Sequence, residues 1–158
     1  MQTESKMLNG PETFPITYDP RDYKVLGAPS HRRFGGTARS SAYKLYVVSQ
    51  DGWPIYVGVT KQPLAQRFRL GWKAKGQNGY HGYDWRHTGR RAQIDLWTLP
   101  DGFVGDSKQY IETVEAELVF WIRNAGQWPK GQTEIHFHES TDAQRAVARN
   151  ILDRFTNP

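Results

Sequence analysis

The chain predicts an α/β fold in which a small mixed β-sheet is flanked by helices. Two runs, Lys44-Leu45-Tyr46-Val47-Val48 and Ile55-Tyr56-Val57-Gly58, are dominated by aromatic and β-branched residues, the side chains that fit a pleated surface. Between them stands Asp51-Gly52, a pair that accepts the positive φ angles of a tight hairpin turn. Further on, Ile111, Val114, Leu118, Val119 and Ile122 recur at three-four spacing, as on a helix with one buried face.

Taken in order, residues 1–40 carry Pro11, Pro15, Pro20 and Pro29 and a basic patch, His31-Arg32-Arg33-Phe34-Gly35-Gly36. Prolines at that density disfavour a helix, so this segment is expected to be an extended arm outside the domain proper, which spans 41–158. Strands follow at 44–49 and 54–59. Pro63 suits the first turn of a helix over Leu64 to Leu70, where its missing N–H is not needed. Ala92 to Leu99 alternates as a third strand, and the apolar stripe places a helix over about Ser107 to Ala125. Thr141 with Gln144 forms a capping-box pattern for a last helix ending near Phe155, whose Ala146, Val147, Ile151, Leu152 and Phe155 close the core. Nothing repeats, and no segment is of low complexity.

At 158 residues the chain is one domain's worth and long enough to bury a usable core. It has no cysteine, which excludes disulfides, thiolate metal sites and cysteine nucleophiles and fits a reducing compartment. No apolar run is long enough for a membrane span or a signal peptide, so a soluble, cytoplasmic protein is expected. The net charge of +5 and a pI near 9.5 point to a polyanionic partner. The charge is concentrated: Lys61, Arg67, Arg69, Lys73, Lys75, Arg86, Arg90 and Arg91 are opposed between them by Asp84 alone. Trp72, Tyr80, Tyr83, Trp85 and His87 are interleaved with these cations, and Gly71, Gly76, Gly79, Gly82 and Gly89 break the segment. Cations hold phosphates, aromatic rings stack on bases, and glycines allow close backbone approach. Residues 71–91 therefore read as a DNA-facing insertion, the alternative being a solvated loop whose aromatics pack on the sheet. The N-terminal arm, through Arg32 and Arg33, either tracks DNA or wraps the domain.

The tripeptides Leu45-Tyr46-Val47 and Tyr56-Val57-Gly58, followed by Thr60-Lys61 and the turn Leu64-Ala65-Gln66-Arg67, resemble the GIY-YIG nuclease superfamily over roughly residues 43–125. The first tripeptide lacks the family's Gly and Ile. Where some members carry a histidine after the arginine, this chain has Gly71. The resemblance implies a metal-dependent phosphodiesterase. In it, Tyr46 hydrogen-bonds the attacking water, Tyr56 orients water or phosphate, Arg67 holds the phosphate, and Lys61 adds positive charge. A glutamate on a later helix binds Mg²⁺ or Mn²⁺. Glu115 falls within the buried stripe, where a carboxylate is costly unless paired or metal-bound, and three residues ahead of Leu118-Val119; Glu117 stays open as the alternative.

The expected substrate is double-stranded DNA, contacted through Arg32, Arg33, Arg69, Lys73, Lys75, Tyr80, Tyr83, Arg86, His87, Arg90 and Arg91. The preferred subclass is a site-selective restriction- or phage-type endonuclease, with a homodimer on DNA as one way to cut both strands. A non-catalytic nucleic-acid-binding module, a homing or structure-specific nicking nuclease, and an RNA substrate remain open. His136-Phe137-His138 with Glu134 in register has metal-ligand spacing, which a short solvent-facing strand explains more cheaply.

Overall fold

Strands β3 (Lys44–Gln50) and β4 (Trp53–Thr60) form the expected hairpin in a computed structural model that describes residues 8–26, 34–76, 82–124 and 140–156. The turn between them is Asp51-Gly52, with φ of 52° and 82°, the two positive values that a twist-matched two-residue turn requires. Pairing is antiparallel, with Tyr46 opposite Gly58 and Val47 opposite Val57, and the register shifts between Val48 and Ser49. β5 (Arg91–Thr98) returns antiparallel on the other side of β3, with Val47 opposite Asp95.

The N-terminal segment departs from expectation. Asn9–Asp19 is β1 and Asp22–Val25 is β2, a hairpin that extends the sheet beyond β5 with Phe14 opposite Ile94 and Thr17 opposite Arg91. It is extended, as the prolines required, but it belongs to the sheet. Each described proline sits where strand geometry tolerates it. Pro11 falls at the register break between Asn9 and Glu12, and Pro20 lies in the turn between the paired Asp19 and Asp22. Pro15 accepts a hydrogen bond from the Leu26 N–H at 2.8 Å. The strand order is β2-β1-β5-β3-β4, and all four pairings are antiparallel, so the α/β layering stands while the strand directions are not mixed.

Helix α1 (Leu64–Lys73) connects β4 to β5. Pro63 stands one position before it, its carbonyl taking the N–H groups of Gln66 and Arg67 at 3.0 and 3.1 Å. The helix runs past Leu70 because Trp72 is buried. α2 (Ser107–Asn124) and α3 (Asp142–Thr156) cover the opposite face. The capping box forms at α3: the Thr141 N–H donates to Gln144 Oε1 at 2.8 Å and the Gln144 N–H to Thr141 Oγ1 at 3.2 Å. Ala146, expected in the core, is exposed, and Ala148 is buried instead.

The period-two alternation of β3 separates two cores. Tyr46 and Val48 join Leu64, Phe68 and Trp72 of α1, with Ile94, Leu96, Tyr83 and Trp85. Leu45 and Val47 join Val57 and Trp97 and the stripe Ile111, Val114, Leu118, Val119 and Ile122. β3 is thus buried on both faces.

Two buried charges tie the layers together. Asp95 accepts from Thr13 Oγ1 at 2.6 Å, Gln93 Nε2 at 3.2 Å, and Arg154 Nε and Nη2 at 3.2 and 3.3 Å, joining β1, β5 and α3. The Lys44 ammonium is enclosed and donates to the carbonyls of Ser40 and Ala42, each at 2.6 Å. Burial pushes its pKa down to about 8 from an ordinary 10.5.

Replacing Arg154 with Met leaves the enclosed Asp95 carboxylate with neutral donors, and urea denaturation is expected to show a loss of about 3 kcal/mol. For Lys44, the unfolded chain holds more protons than the folded one between pH 8 and 10.5, so its contribution to stability rises with pH across that window. Urea midpoints of the wild type should therefore gain on those of Lys44→Met as pH increases. Flat differences would show a Lys44 titration that folding does not change.

Candidate active site

Tyr46 projects from β3 across β4 at Gly58, its cross-strand partner. A β-carbon at position 58 would stand 2.4 Å from Tyr46 Cζ and 2.5 Å from its hydroxyl, so only glycine leaves room for the ring. Tyr56 lies two residues before Gly58 on the same face of β4 and is half-buried. Its ring centroid is 6.0 Å from that of Tyr46 and 5.3 Å from that of Tyr83. Arg67, half-buried on α1, places its guanidinium carbon 4.7 Å from the Tyr83 ring centroid. Its neighbour Phe68 packs against Tyr46 at 5.8 Å and Tyr83 at 5.2 Å, fixing the helix to the sheet. Tyr46, Tyr56 and Arg67, remote in sequence, thus meet at the junction of β3, β4 and α1. Tyr46 itself is 0% exposed, and its hydroxyl lies 2.7 Å from the Tyr83 hydroxyl.

Tyr83 reaches this point through a second glycine approach. A β-carbon at Gly71 would meet the Tyr83 ring at 2.4 Å, so the ring fills the space that a side chain at position 71 would take. The 3-10 turn Asp84–His87 that follows is anchored by Arg86, which is buried. Its Nη1 donates to the Gly71 and Tyr83 carbonyls at 2.8 and 2.9 Å and its Nη2 to the Ala74 carbonyl at 3.2 Å, occupying acceptors at the C-terminal end of α1.

This packing corrects the reading of 71–91 as a DNA-facing insertion. Tyr83, 1% exposed, and Arg86 are interior groups, as is Trp85. The alternative, aromatics packed on the sheet, describes this part of the segment. Arg69, Lys73, Lys75, His87, Arg90 and Arg91 are exposed. Arg32, Arg33 and Tyr80 lie outside the described residues, as do Glu134, His136 and His138. Among the described residues, Arg69 and Lys73 of α1 line an open groove of about 930 Å³ with Arg21 and Lys24 of the β1–β2 hairpin. Trp72 braces its wall by donating from Nε1 to the Asp19 carbonyl at 2.8 Å. Tyr23 lines the same groove, its phenol pushed up to about 12 by burial.

Lys61 is exposed in the link between β4 and α1, its ammonium 5.7 Å from the Tyr43 ring centroid. Glu115, 6% exposed, is on α2, the helix that packs along the strand carrying Tyr56 and Gly58. Glu117 accepts a hydrogen bond from Ser140 Oγ at 2.6 Å, and Arg145 also donates to that Oγ at 2.9 Å, so its carboxylate is engaged in seating the start of α3. Glu112, one turn before Glu115, is a second buried carboxylate that sequence reasoning passed over, though its three-residue spacing from Glu115 was visible.

No protein family, curated protein or solved structure matches the chain. The site therefore rests on its own geometry: a half-buried guanidinium and a half-buried phenol that each pack on the Tyr83 ring, which with Tyr46 is enclosed. A guanidinium fork suits a phosphate oxygen pair, and a phenol can donate to or accept from water beside it.

Adding a methyl at position 58 is expected to cost about 2 kcal/mol by forcing the Tyr46 ring from its place. Combining Gly58→Ala with Tyr46→Leu should cost less than the sum of the two changes in thermal denaturation. Additive losses would show that the contact does not limit the packing.

Proposed function

We propose that this protein is a metal-dependent endonuclease of the GIY-YIG type that hydrolyses phosphodiester bonds in double-stranded DNA. The observation that carries this reading is that Tyr46, Tyr56 and Arg67, from two strands and a helix, all pack against Tyr83, with Tyr46 lying over Gly58. Arg67 binds the scissile phosphate and offsets charge developing on its oxygens, since a guanidinium keeps its proton under working conditions. Tyr56, half-buried, orients the attacking water. Lys61, exposed in the link between β4 and α1, adds positive charge.

Among the described residues, no group of three or more His, Cys, Asp or Glu side chains converges. A hard cation, Mg²⁺ or Mn²⁺, would be held through Glu115, since such ions are bound by few carboxylates and keep oxygen ligands from substrate and water. When bound, such an ion supplies Lewis-acid stabilisation of the phosphoryl group. The exposed cations of α1, the β1–β2 hairpin and the start of β5 supply the backbone contacts, which is where a site-selective restriction-type enzyme would gather affinity. With one such site per chain, cutting both strands calls for a homodimer on DNA or two successive nicks. Among the described residues, no helix is long and apolar enough to cross a membrane.

A second reading, a nucleic-acid-binding module on the same fold without catalysis, is favoured by one observation, the complete enclosure of Tyr46. Incubation with supercoiled plasmid in Mg²⁺ and in EDTA separates the two. The nuclease reading expects Mg²⁺-dependent cleavage that Arg67→Ala and Glu115→Gln reduce by about a hundredfold or more, with DNA binding retained. Salt-sensitive binding with no cleavage would establish the module.

Whichever reading holds, replacing Arg69 and Lys73 together with Ala should weaken DNA binding at all sequences and lower the slope of log K against log salt by about 2. An unchanged slope would place the DNA elsewhere on the surface.

A further inference from the structure

We propose that Tyr46 and Tyr83 form a buried strut that positions the Arg67 guanidinium, so that both tyrosines act through Arg67 rather than on the attacking water. The inference rests on the nuclease reading and assigns roles within that site. Three observations carry it. The two hydroxyls lie 2.7 Å apart with both residues enclosed, so one phenol donates to the other in the interior. The Tyr83 ring carries Arg67 on its face at 4.7 Å, a contact that orients the guanidinium. And the ring has one place to be: Gly71 makes room for it, Phe68 backs it, and Arg86 holds the following turn to the end of α1.

In this arrangement the Tyr46 hydroxyl fixes the tilt of the Tyr83 ring, and the ring fixes Arg67. The space at position 71, empty of its own side chain, is occupied by a residue from twelve positions later in the chain. Tyr56, with its partial exposure, is left as the phenol that faces the substrate.

The test is single-turnover plasmid cleavage at saturating enzyme, with DNA affinity in EDTA and the thermal midpoint measured on each variant. Tyr46→Phe and Tyr83→Phe remove the same hydrogen bond, so both should slow cleavage by the same factor, roughly three- to tenfold. The double variant should be no slower than either single one. Tyr83→Leu, which also removes the ring, should be slower still while DNA affinity changes by less than about twofold, the signature of a lost transition-state contact. If Tyr46→Phe abolishes cleavage while Tyr83→Phe leaves it intact, Tyr46 works on the reacting water and the strut is overturned. Additive losses in the double variant overturn it as well. A wild-type chain that cleaves no nucleic acid is a different result, since it overturns the nuclease reading itself.

Discussion

The Tyr46 ring lying over Gly58, with its hydroxyl on Tyr83 and the Tyr83 ring lying over Gly71, is the contact on which the rest of the candidate site depends. It joins a strand, its hairpin partner, the first helix and the turn before β5 in one van der Waals stack. Both glycines are needed because two rings occupy volume that a β-carbon would claim. Arg67 is placed by this stack, since its guanidinium rests on one of the rings and the next residue, Phe68, touches both.

The stack can be this closely specified because β3 gives it a fixed base. With both faces covered, β3 cannot slip by one residue without exchanging Tyr46 and Val48 for Leu45 and Val47 between two different cores. The buried Asp95, opposite Val47, adds a charge-assisted tie from β5 to Arg154 of α3 and to Thr13 of β1. A charge held by partners on three elements penalises any arrangement that separates them.

Cations fall into two populations in the structure. Arg86 is an interior group that donates to two carbonyls at the end of α1 and to that of Tyr83. Arg69, Lys73, Arg21 and Lys24 remain exposed around one groove, beside the helix that presents Arg67. A polyanion tracking that groove would be attracted along its length by screened charge and would be held by the guanidinium only at the site.

Much of this was legible in the sequence. The hairpin could be read from Asp51-Gly52 and its flanking runs, the helices from three-four apolar spacing, and the α3 start from Thr141 and Gln144, because each depends on interactions within a few residues. The place of Arg67 on the following helix also followed from local order, whereas a two-residue turn alone sets Tyr46 opposite Val57, and the register shift between Val48 and Ser49 brings it to Gly58. What local order left open was which polar and aromatic groups would be interior. Tyr83 and Arg86 read as DNA-facing groups in a basic, glycine-broken segment, and residues 1–40 read as an extended arm outside the domain, because composition is the same for a residue that meets solvent and one that meets a partner far along the chain. The sequence by itself determined the elements and their buried stripes. Only the tertiary structure decided that β1 pairs with β5 and that Tyr83 fills the space beside Gly71, since both depend on contacts between distant residues whose energy exists only once the sheet has closed.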